Sequence, residues 1–202
     1  MLTLPATSAQ TDDEYAAYID AGHAAQESLG PEVTCGWVLD LRGNTGGNMW
    51  PMLAVATPFI DTSTPISFER VDGTLQQVIL EDDRALLDGS VMVAFQPADP
   101  VPVASIVLLH NETTASSGEA IVATFLGQND VTTMGRDTAG LSTGNESESL
   151  TDGAQIILTT STFVDRTGLL LGGSIAPDIQ LADTDDGVLE ARDLLDQSCG
   201  AE

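Results

Sequence analysis

The stretch SIVLLHNETTASSGEAIVATFLG, residues 105–127, holds the transition that decides the fold. SIVLLH is an apolar run typical of a buried strand, and SSGEAIVATFLG predicts a helix that begins at its two serines. A serine at such a turn is exposed and lies at the amino end of a helix, where negative charge is stabilised. The same residues also fit a plain helix cap, with Ser116 or Ser117 capping and Glu119 helping in the first turn.

A second strand, turn and helix precede this one. WVLDL predicts a short buried strand, RGNTGGN a glycine-rich turn, and MWPMLAVATPFI a helix that begins near Pro51. Backbone N–H groups at such a turn suit an anion or an oxyanion, although two glycines after a strand are also ordinary turn chemistry. A phosphate loop is excluded, because the Gly-Lys-Ser/Thr pattern is missing. We expect the two turns to converge on one pocket.

The remaining patterns predict one α/β domain. Its predicted elements are an LTLPA strand, an amphipathic helix from Asp12 to Gly30, a DVTTMG strand, a polar loop GRDTAGLSTGNESESLTDG, a hairpin-like pair of AQIILTTSTFVDRTG with LLLGG, and an acidic helix around VLEARDLLDQ. Residues 61–104 are rich in Thr, Pro and Asp and predict strands and loops of an insertion or lid, including SFERV and LQQVILE.

The charge balance excludes several classes of partner. The net charge is −25, from 31 acidic and six basic residues, and all six are arginine. Little in the chain could neutralise phosphates, so we expect no nucleic-acid partner and no docking on anionic membranes. No apolar run reaches about 18 residues, which predicts no membrane insertion. The acidic surface fits ordinary solvation, with a preference for cationic substrates as the alternative.

Two cysteines, Cys35 and Cys199, lie far apart in the sequence. A disulfide between them would tie the C-terminal tail to an early strand, worth about 4 kcal/mol in the chain-entropy model. Two free buried thiols are the alternative. A disulfide would place the protein in an extracytoplasmic compartment.

Five motifs in a fixed order carry a family resemblance. LDLRGNTGGN, TTASSGEAIVATFLG, GRDTAGLSTGN, LTDGAQIILTTSTFVDRTG and the Pro-Asp of SIAPDI resemble the core of the tail-specific, or C-terminal-processing, serine peptidases. The resemblance covers residues 33 to 180 and is strongest to the branch of nisin-resistance peptidases, which carry TASS and a loop like TAGLSTGN. It implies an α/β fold with a mixed sheet flanked by helices, similar to the crotonase and Clp peptidase core. It also implies a polypeptide substrate, no cofactor and no metal; nothing in the sequence specifies an oligomeric state.

The resemblance assigns roles to four residues. The family's serine motif places the nucleophile at Ser116, and the backbone N–H of Ser117 then stabilises the oxyanion. Gly46 or Gly47 supplies the second N–H. Many family members carry a lysine base in the loop after the elbow, where this chain has Leu141. Because the chain contains no lysine, a Ser–Lys dyad is excluded.

A histidine is therefore the expected base, and the chain has two. His110 ends a buried strand and His23 lies in the first helix, and either is also compatible with an ordinary packing role. In the nisin-resistance branch the histidine lies upstream of the LTLPA strand, so we expect a core domain, residues 1–202, that is truncated at its N-terminus. The expected function is a serine endopeptidase acting near polypeptide C-termini. The alternative is a catalytically inactive module that binds a peptide along a sheet edge.

Other polar residues have structural interpretations. Asp40 and Arg42 flank the end of a core strand, and we expect them to pair with each other or to hold the glycine turn. The run Asp183, Asp185 and Asp186 is interpreted as a solvated loop. No acidic cluster has the spacing of metal ligands, and no cysteine–histidine zinc pattern is present.

Overall fold

The computed structural model describes residues 1–29, 35–98, 105–182 and 186–199, which form an α/β fold with two sheets. Its helices are α1 (Asp12–Leu29), α2 (Met49–Ala56), α3 (Ser117–Phe125) and α4 (Val188–Cys199). Its strands are β1 (Leu2–Thr3), β2 (Trp37–Asp40), β3 (Ile66–Arg70), β4 (Leu75–Glu81), β5 (Arg84–Leu87), β6 (Ser90–Ala94), β7 (Ile106–His110), β8 (Val131–Gly135), β9 (Thr143–Ser149), β10 (Gln155–Asp165) and β11 (Ile179–Gln180). The predicted fold class is confirmed.

A five-stranded parallel sheet, in the order β1-β2-β7-β8-β11, forms the centre of the fold. Every residue of β2 and β7 is buried, as expected when helices cover both faces of a parallel sheet. Leu39 and Leu108 belong to the cluster that packs with α2 and α3, whereas Val38 and Val107 pack with α4. Because β2 and β7 are parallel neighbours, the turns that follow them emerge at the same edge.

The second sheet has six antiparallel strands in the order β6-β5-β4-β3-β10-β9. The predicted strands SFERV and LQQVILE are present as β3 and β4, and the two strands that follow them were not predicted. The interpretation of GRDTAGLSTGNESESLTDG as a loop was wrong over residues 143–149, which form β9. Gly, Asn, Glu and Ser have little strand propensity, and pairing with β10 overrides it here.

The predicted hairpin-like pair of AQIILTTSTFVDRTG with LLLGG forms only next to its turn. The Leu171 N–H donates to the Phe163 oxygen (2.8 Å), the Asp165 N–H donates to the Leu169 oxygen (3.1 Å), and Val164 bridges Leu170. The rest of β10 has partners that were not predicted, because residues 155–162 pair with β9 and residues 161–165 pair with β3. Within the described ranges, residues 155–159 therefore pair with β9 alone.

Three helices pack on one face of the parallel sheet and one on the other. The first helix begins at Asp12 as predicted, while its predicted end at Gly30 lies outside the described residues. α2 begins two residues before Pro51, because the Asn48 side chain accepts a hydrogen bond from the Trp50 N–H (3.0 Å) and caps it. α3 is buried at every position.

A disulfide joins Cys35 to Cys199, with Cα atoms 5.1 Å apart, so the free-thiol alternative was wrong. It ties α4 to the segment that enters β2. Of the predicted acidic loop, Asp183 and Asp185 lie outside the described residues, and the backbone oxygen of Asp186 accepts a hydrogen bond from Arg42. Across the described ranges, the helices are all too short or too polar to cross a bilayer.

Candidate active site

Ser116 lies in a strained backbone conformation between β7 and α3. Its φ is 53° and its ψ is −116°, in the region that normally favours glycine. Ser116 is also the residue that precedes α3, so the cap position and the sharp turn coincide. Conformations of this kind cost of order 1–3 kcal/mol and persist only where surrounding contacts hold them.

Those contacts come from Glu119, whose side chain is fully buried. One carboxylate oxygen accepts from the Ser116 N–H and the Leu141 N–H, each at 2.8 Å. The other accepts from the Thr138 hydroxyl (2.5 Å) and the Gly140 N–H (2.9 Å). The Ser142 hydroxyl lies 3.3 Å from the same oxygen but donates at 2.9 Å to the Gly173 oxygen. Four donors from the elbow and the 138–142 loop thus converge on one carboxylate. The spacing Ser-x-x-Glu was visible in the sequence as a cap, but the depth of burial was not.

The glycine turn after β2 is attached directly to the serine elbow. The Ala115 N–H donates to the Asn44 backbone oxygen (2.9 Å), and the Ser117 hydroxyl donates to the Gly47 oxygen (2.7 Å). Helix α3 approaches so closely that a Cβ on Gly118 would lie 2.6 Å from the Asn44 oxygen. Ser116 and Ser117 both border a cavity, but the Ser117 hydroxyl is engaged in joining the two turns.

Asn44 forms a hydrogen bond with the N–H of Gly46 but not with that of Gly47. Its Oδ1 accepts from the Gly46 N–H (2.9 Å), while its Nδ2 donates to the Leu4 oxygen (2.8 Å). Within the described ranges, no hydrogen bond engages the N–H of Gly47 or that of Ser117. Gly47 has φ 111°, a conformation available to glycine alone. Asn44 is buried and was missed in the sequence, where it is one polar residue of a turn.

A cavity of about 690 Å³ opens beside Ser116, between the parallel sheet's turns and the antiparallel sheet. The lining residues include aliphatic, aromatic, amide and hydroxyl side chains and one carboxylate: Ser8, Ala9, Gln10, Tyr15, Gly47, Asn48, Met49, Trp50, Phe68, Gln76, Leu87, Met92, Ser116, Ser117, Thr143, Gly144, Asn145, Glu146, Thr160, Ser161 and Phe163. Phe68 and Phe163 form an edge-to-face pair with ring centres 5.4 Å apart. Arg70 lies 2.7 Å from Glu146 and lowers the pKa of that carboxyl.

Residues 61–98, the described part of the predicted insertion, form four strands that contribute a wall of this cavity. Phe68, Gln76, Leu87 and Met92 face it from β3 to β6. That this segment closes over the cavity as a lid stays a prediction.

Neither histidine lines the cavity. His110 is fully buried, its Nδ1 lies 2.8 Å from the Arg136 backbone oxygen, and burial lowers its pKa. His23 is part of α1, and its Nε2 is buried without a hydrogen-bond partner among the described residues. Leu141, at the position of the family's lysine, donates its N–H to Glu119 and leaves its side chain exposed. The structure thus brings Ser116, Ser117 and the glycine turn together and keeps both histidines apart from the cavity.

Asp40 and Arg42 form the ion pair expected at the end of β2. The Asp40 Oδ2 and Arg42 Nη2 atoms are 2.7 Å apart, and the hydrogen bond to Asp40 raises the pKa of the guanidinium. In the described part of the chain, no group of three or more His, Cys, Asp or Glu side chains could hold a metal ion.

The chain is similar to one peptidase family and to two curated proteins. The sequence model of peptidase family S41 matches residues 1–181. The nisin-resistance protein of Lactococcus lactis subsp. lactis is 28% identical over 172 residues, which are 85% of this chain and 54% of that protein. The carboxy-terminal processing protease CtpA of Bacillus subtilis (strain 168) is 26% identical over 145 residues, 71% of this chain and 28% of that protein.

The solved structure of a lipoprotein from Streptococcus agalactiae superposes with a TM-score of 0.78 and 27% identity. The superposition covers 96% of this chain and 65% of the lipoprotein chain. The chain thus spans 54% and 28% of the length of the two curated relatives.

Proposed function

The chain belongs to peptidase family S41, and from this premise we propose that it is the core of a serine endopeptidase that cleaves polypeptides near their C-termini. The observation that carries the proposal is Ser116, held in a strained turn beside a cavity and next to two backbone N–H groups without acceptors in the described ranges. The relative whose name states carboxy-terminal processing supports the position of the cut.

In the proposed reaction the Ser116 hydroxyl oxygen attacks the scissile carbonyl carbon while a base takes its proton. The N–H groups of Ser117 and Gly47 stabilise the resulting oxyanion, each worth about 3 kcal/mol in comparable sites. We assign Gly47 rather than Gly46, because the Gly46 N–H already donates to Asn44. The base then protonates the departing amine as the C–N bond breaks, and water hydrolyses the acyl ester by the reverse route.

The base is proposed to be a histidine from a segment upstream of β1. The chain has no lysine, and its two histidines lie away from the cavity that Ser116 borders. His110 is further disfavoured because a proton acceptor must come within hydrogen-bond reach of the nucleophile, and its ring is fully buried with Nδ1 against the Arg136 backbone oxygen. A chain that corresponds to about half of the nisin-resistance protein is compatible with a base outside residues 1–202.

The test is labelling by a serine-reactive fluorophosphonate. We expect a version extended upstream to be labelled, and Ser116→Ala to lose the label. Ser90→Ala is the matched control, because it removes an exposed serine hydroxyl that does not line the cavity, so its label should persist.

Two results would count against the proposed peptidase activity, and a third against the proposed upstream base. Label that survives Ser116→Ala would place the nucleophile elsewhere. A folded extended protein that takes no label would favour the non-catalytic peptide-binding module. Label on residues 1–202 without the upstream extension would assign the base to His110 or His23. Substituting each histidine in turn would then show which of the two is the base.

We propose an extracytoplasmic location for the protein. The Cys35–Cys199 disulfide supports it, since such bonds persist in oxidising compartments. Fractionation of the native cells tests this: recovery of the protein with its disulfide intact from the extracytoplasmic fraction is expected, and recovery as a reduced cytosolic protein would contradict it.

A further inference from the structure

Strand β9 leaves one edge of the antiparallel sheet open. The Leu150 N–H donates to the Ala154 oxygen (2.7 Å) at the hairpin turn, and the pairs Glu148–Ile156 and Glu146–Leu158 follow in register. Hydrogen bonding alternates along an antiparallel ladder, so Glu146 and Glu148 bond to β10. The N–H and C=O groups of Asn145, Ser147 and Ser149 therefore point outward, where β9 has no neighbouring strand among the described residues.

The opposite edge of the same sheet is interrupted. In β6 the register against β5 shifts so that Ala85 faces Val93 while Leu86 faces Val91, which leaves Met92 as an extra residue on the edge strand. A bulge of this kind blunts an edge against further pairing. The register shift beside β9 falls instead on the inner strand, between Thr159 and Ser161. Among the described residues, the outer half of the β9–β10 hairpin has two unpaired edges, because residues 155–159 of β10 pair only with β9. Of the two edge strands, β9 is the one that carries the exposed carboxylate of Glu148.

The hairpin of β9 and β10 also exposes large aliphatic side chains. Ile156 and Leu158 face one side, Ile157 faces the other at 68% exposure, and Leu150 lies at the turn. Ile156, Ile157 and Leu158 belong to β10, which is about 10 Å from a strand added to β9, so the backbone groups of β9 rather than these side chains would hold the added strand.

The negative charge of this hairpin restricts which polypeptide could bind along the β9 edge. Residues 143–165 carry four carboxylates and no cationic side chain. Arg70 neutralises Glu146, whereas Glu148 has no ion pair within the described ranges. With a net charge of −25, a second copy of this chain would meet like charge along the edge. An extended segment bearing lysine or arginine would meet opposite charge.

The edge is continuous with the candidate active site. Thr143, Gly144, Asn145 and Glu146 line the cavity that Ser116 borders, and the outer half of β9 leads away from it. We propose that β9 is an exosite that takes an extended, positively charged segment of the substrate polypeptide as an added strand, with its cationic side chains beside Glu148. The inference rests on the proposed function, because the occupant is the substrate of that site.

The test measures binding in the Ser116→Ala protein, so that no cleavage occurs. The probe is an end-capped, fluorescein-labelled peptide of about twelve residues in which valine and threonine alternate and two positions are lysine, a length that spans the edge at about 3.4 Å per residue. Ser147→Pro removes an outward N–H without touching the ladder to β10, which is where edge strands tolerate proline. We expect about tenfold weaker binding, because the backbone pairing at that position is lost.

Three matched measurements accompany it. Ser147→Ala keeps the backbone N–H and should bind as the parent does. Glu148→Gln, which removes an exposed carboxylate of β9, should weaken binding about threefold through lost attraction to lysine. A probe N-methylated at alternate residues tests the same hydrogen bonds on the unaltered protein, and we expect it to lose binding even if Ser147→Pro fails to fold.

Equal binding of the N-methylated probe, or of a probe with both lysines replaced by glutamate, would overturn the proposal. A dimer in sedimentation that Ser147→Pro converts to a monomer would assign the edge to a second copy instead. Because binding is read without catalysis, its loss leaves the labelling of Ser116 unaffected, and failed labelling leaves this binding intact.

Discussion

The glycine turn after β2 and the serine elbow after β7 perform the same geometric task with different chemistry. Both follow buried parallel strands and both lead into a helix. The first uses Gly46 at φ 95° and Gly47 at φ 111°, and the second forces Ser116 to φ 53°. Where only a backbone N–H must be presented, glycine adopts the turn without strain. Where a hydroxyl must be presented, the strain remains and Glu119 holds it.

The largest effect is expected at Glu119, which is the support of the strained elbow. Glu119→Gln would turn an amide NH₂ toward groups that are themselves donors, and we expect a loss of about 4 kcal/mol in the free energy of unfolding. Urea denaturation measures it. Glu112→Gln is the control, because this exposed carboxylate pairs with Arg136 and its loss should cost below about 1 kcal/mol. Equal losses in the two variants would show that the elbow needs no such support.

A smaller effect is expected at the glycine turn. In Gly47→Ala a Cβ would lie 2.1 Å from the Thr7 oxygen, in addition to the strain at φ 111°, and we expect a loss of about 3 kcal/mol. Gly43→Ala isolates the strain, because its Cβ would meet nothing within 4 Å at φ 75°, and should cost about 1 kcal/mol. Thermal unfolding compares the two. Equal losses of stability in the two variants would mean that the Thr7 segment moves away from the turn at little energetic cost.

His110, the residue that ends β7, should make the stability of the fold depend on pH. Asp40 ends β2 in an ion pair, whereas His110 ends β7 with its pKa lowered by burial below the ordinary 6.5. As pH falls through about 6.5, the His110 imidazole takes up a proton in the unfolded chain more readily than in the folded chain. The free energy of unfolding is therefore higher above this pH and decreases below it. We expect His110→Asn to flatten the dependence of unfolding free energy on pH between 8 and 5. An unchanged slope would exclude His110 as the group responsible.

The smallest effect measures the strain itself. Ser116→Gly should be more stable than Ser116→Ala by about 1 kcal/mol, because both lack the hydroxyl and only glycine relieves the positive φ. Ala17→Gly, at an exposed position in the interior of α1, should show the opposite order, with glycine less stable than alanine by about 1 kcal/mol. Paired denaturation curves give both differences. If alanine is the more stable at Ser116, the elbow stores no backbone strain.

The elements that sequence reasoning located are those with a strong local signal. The apolar runs of β2 and β7, the helix after the serines and the helix from Asp12 follow from composition and period. The glycine pattern and the serine pair indicated that two turns meet, and the structure brings them together through Asn44 and Ser117.

What was missed depends on contacts distant in sequence. β9 has a polar, flexible composition and exists because β10 pairs with it. The role of Glu119 requires the loop at 138–142 to fold back over the elbow, and no spacing in the chain predicts that. The choice between Gly46 and Gly47 depends on one amide side chain, Asn44, whose rotamer a sequence does not specify.

The disulfide between Cys35 and Cys199 has a mechanical consequence. It closes a loop over a sequence separation of 164, and that loop contains both turns of the candidate site and nearly all of both sheets. In a chain pulled from its two ends, tension would run along residues 1–35 and cross the covalent bond, leaving the enclosed fold unloaded. Only β1 and α1 would unravel, extending the molecule by about 120 Å, against about 700 Å once the bond is reduced. The oxidised protein therefore keeps its serine elbow under forces that would unfold the reduced one.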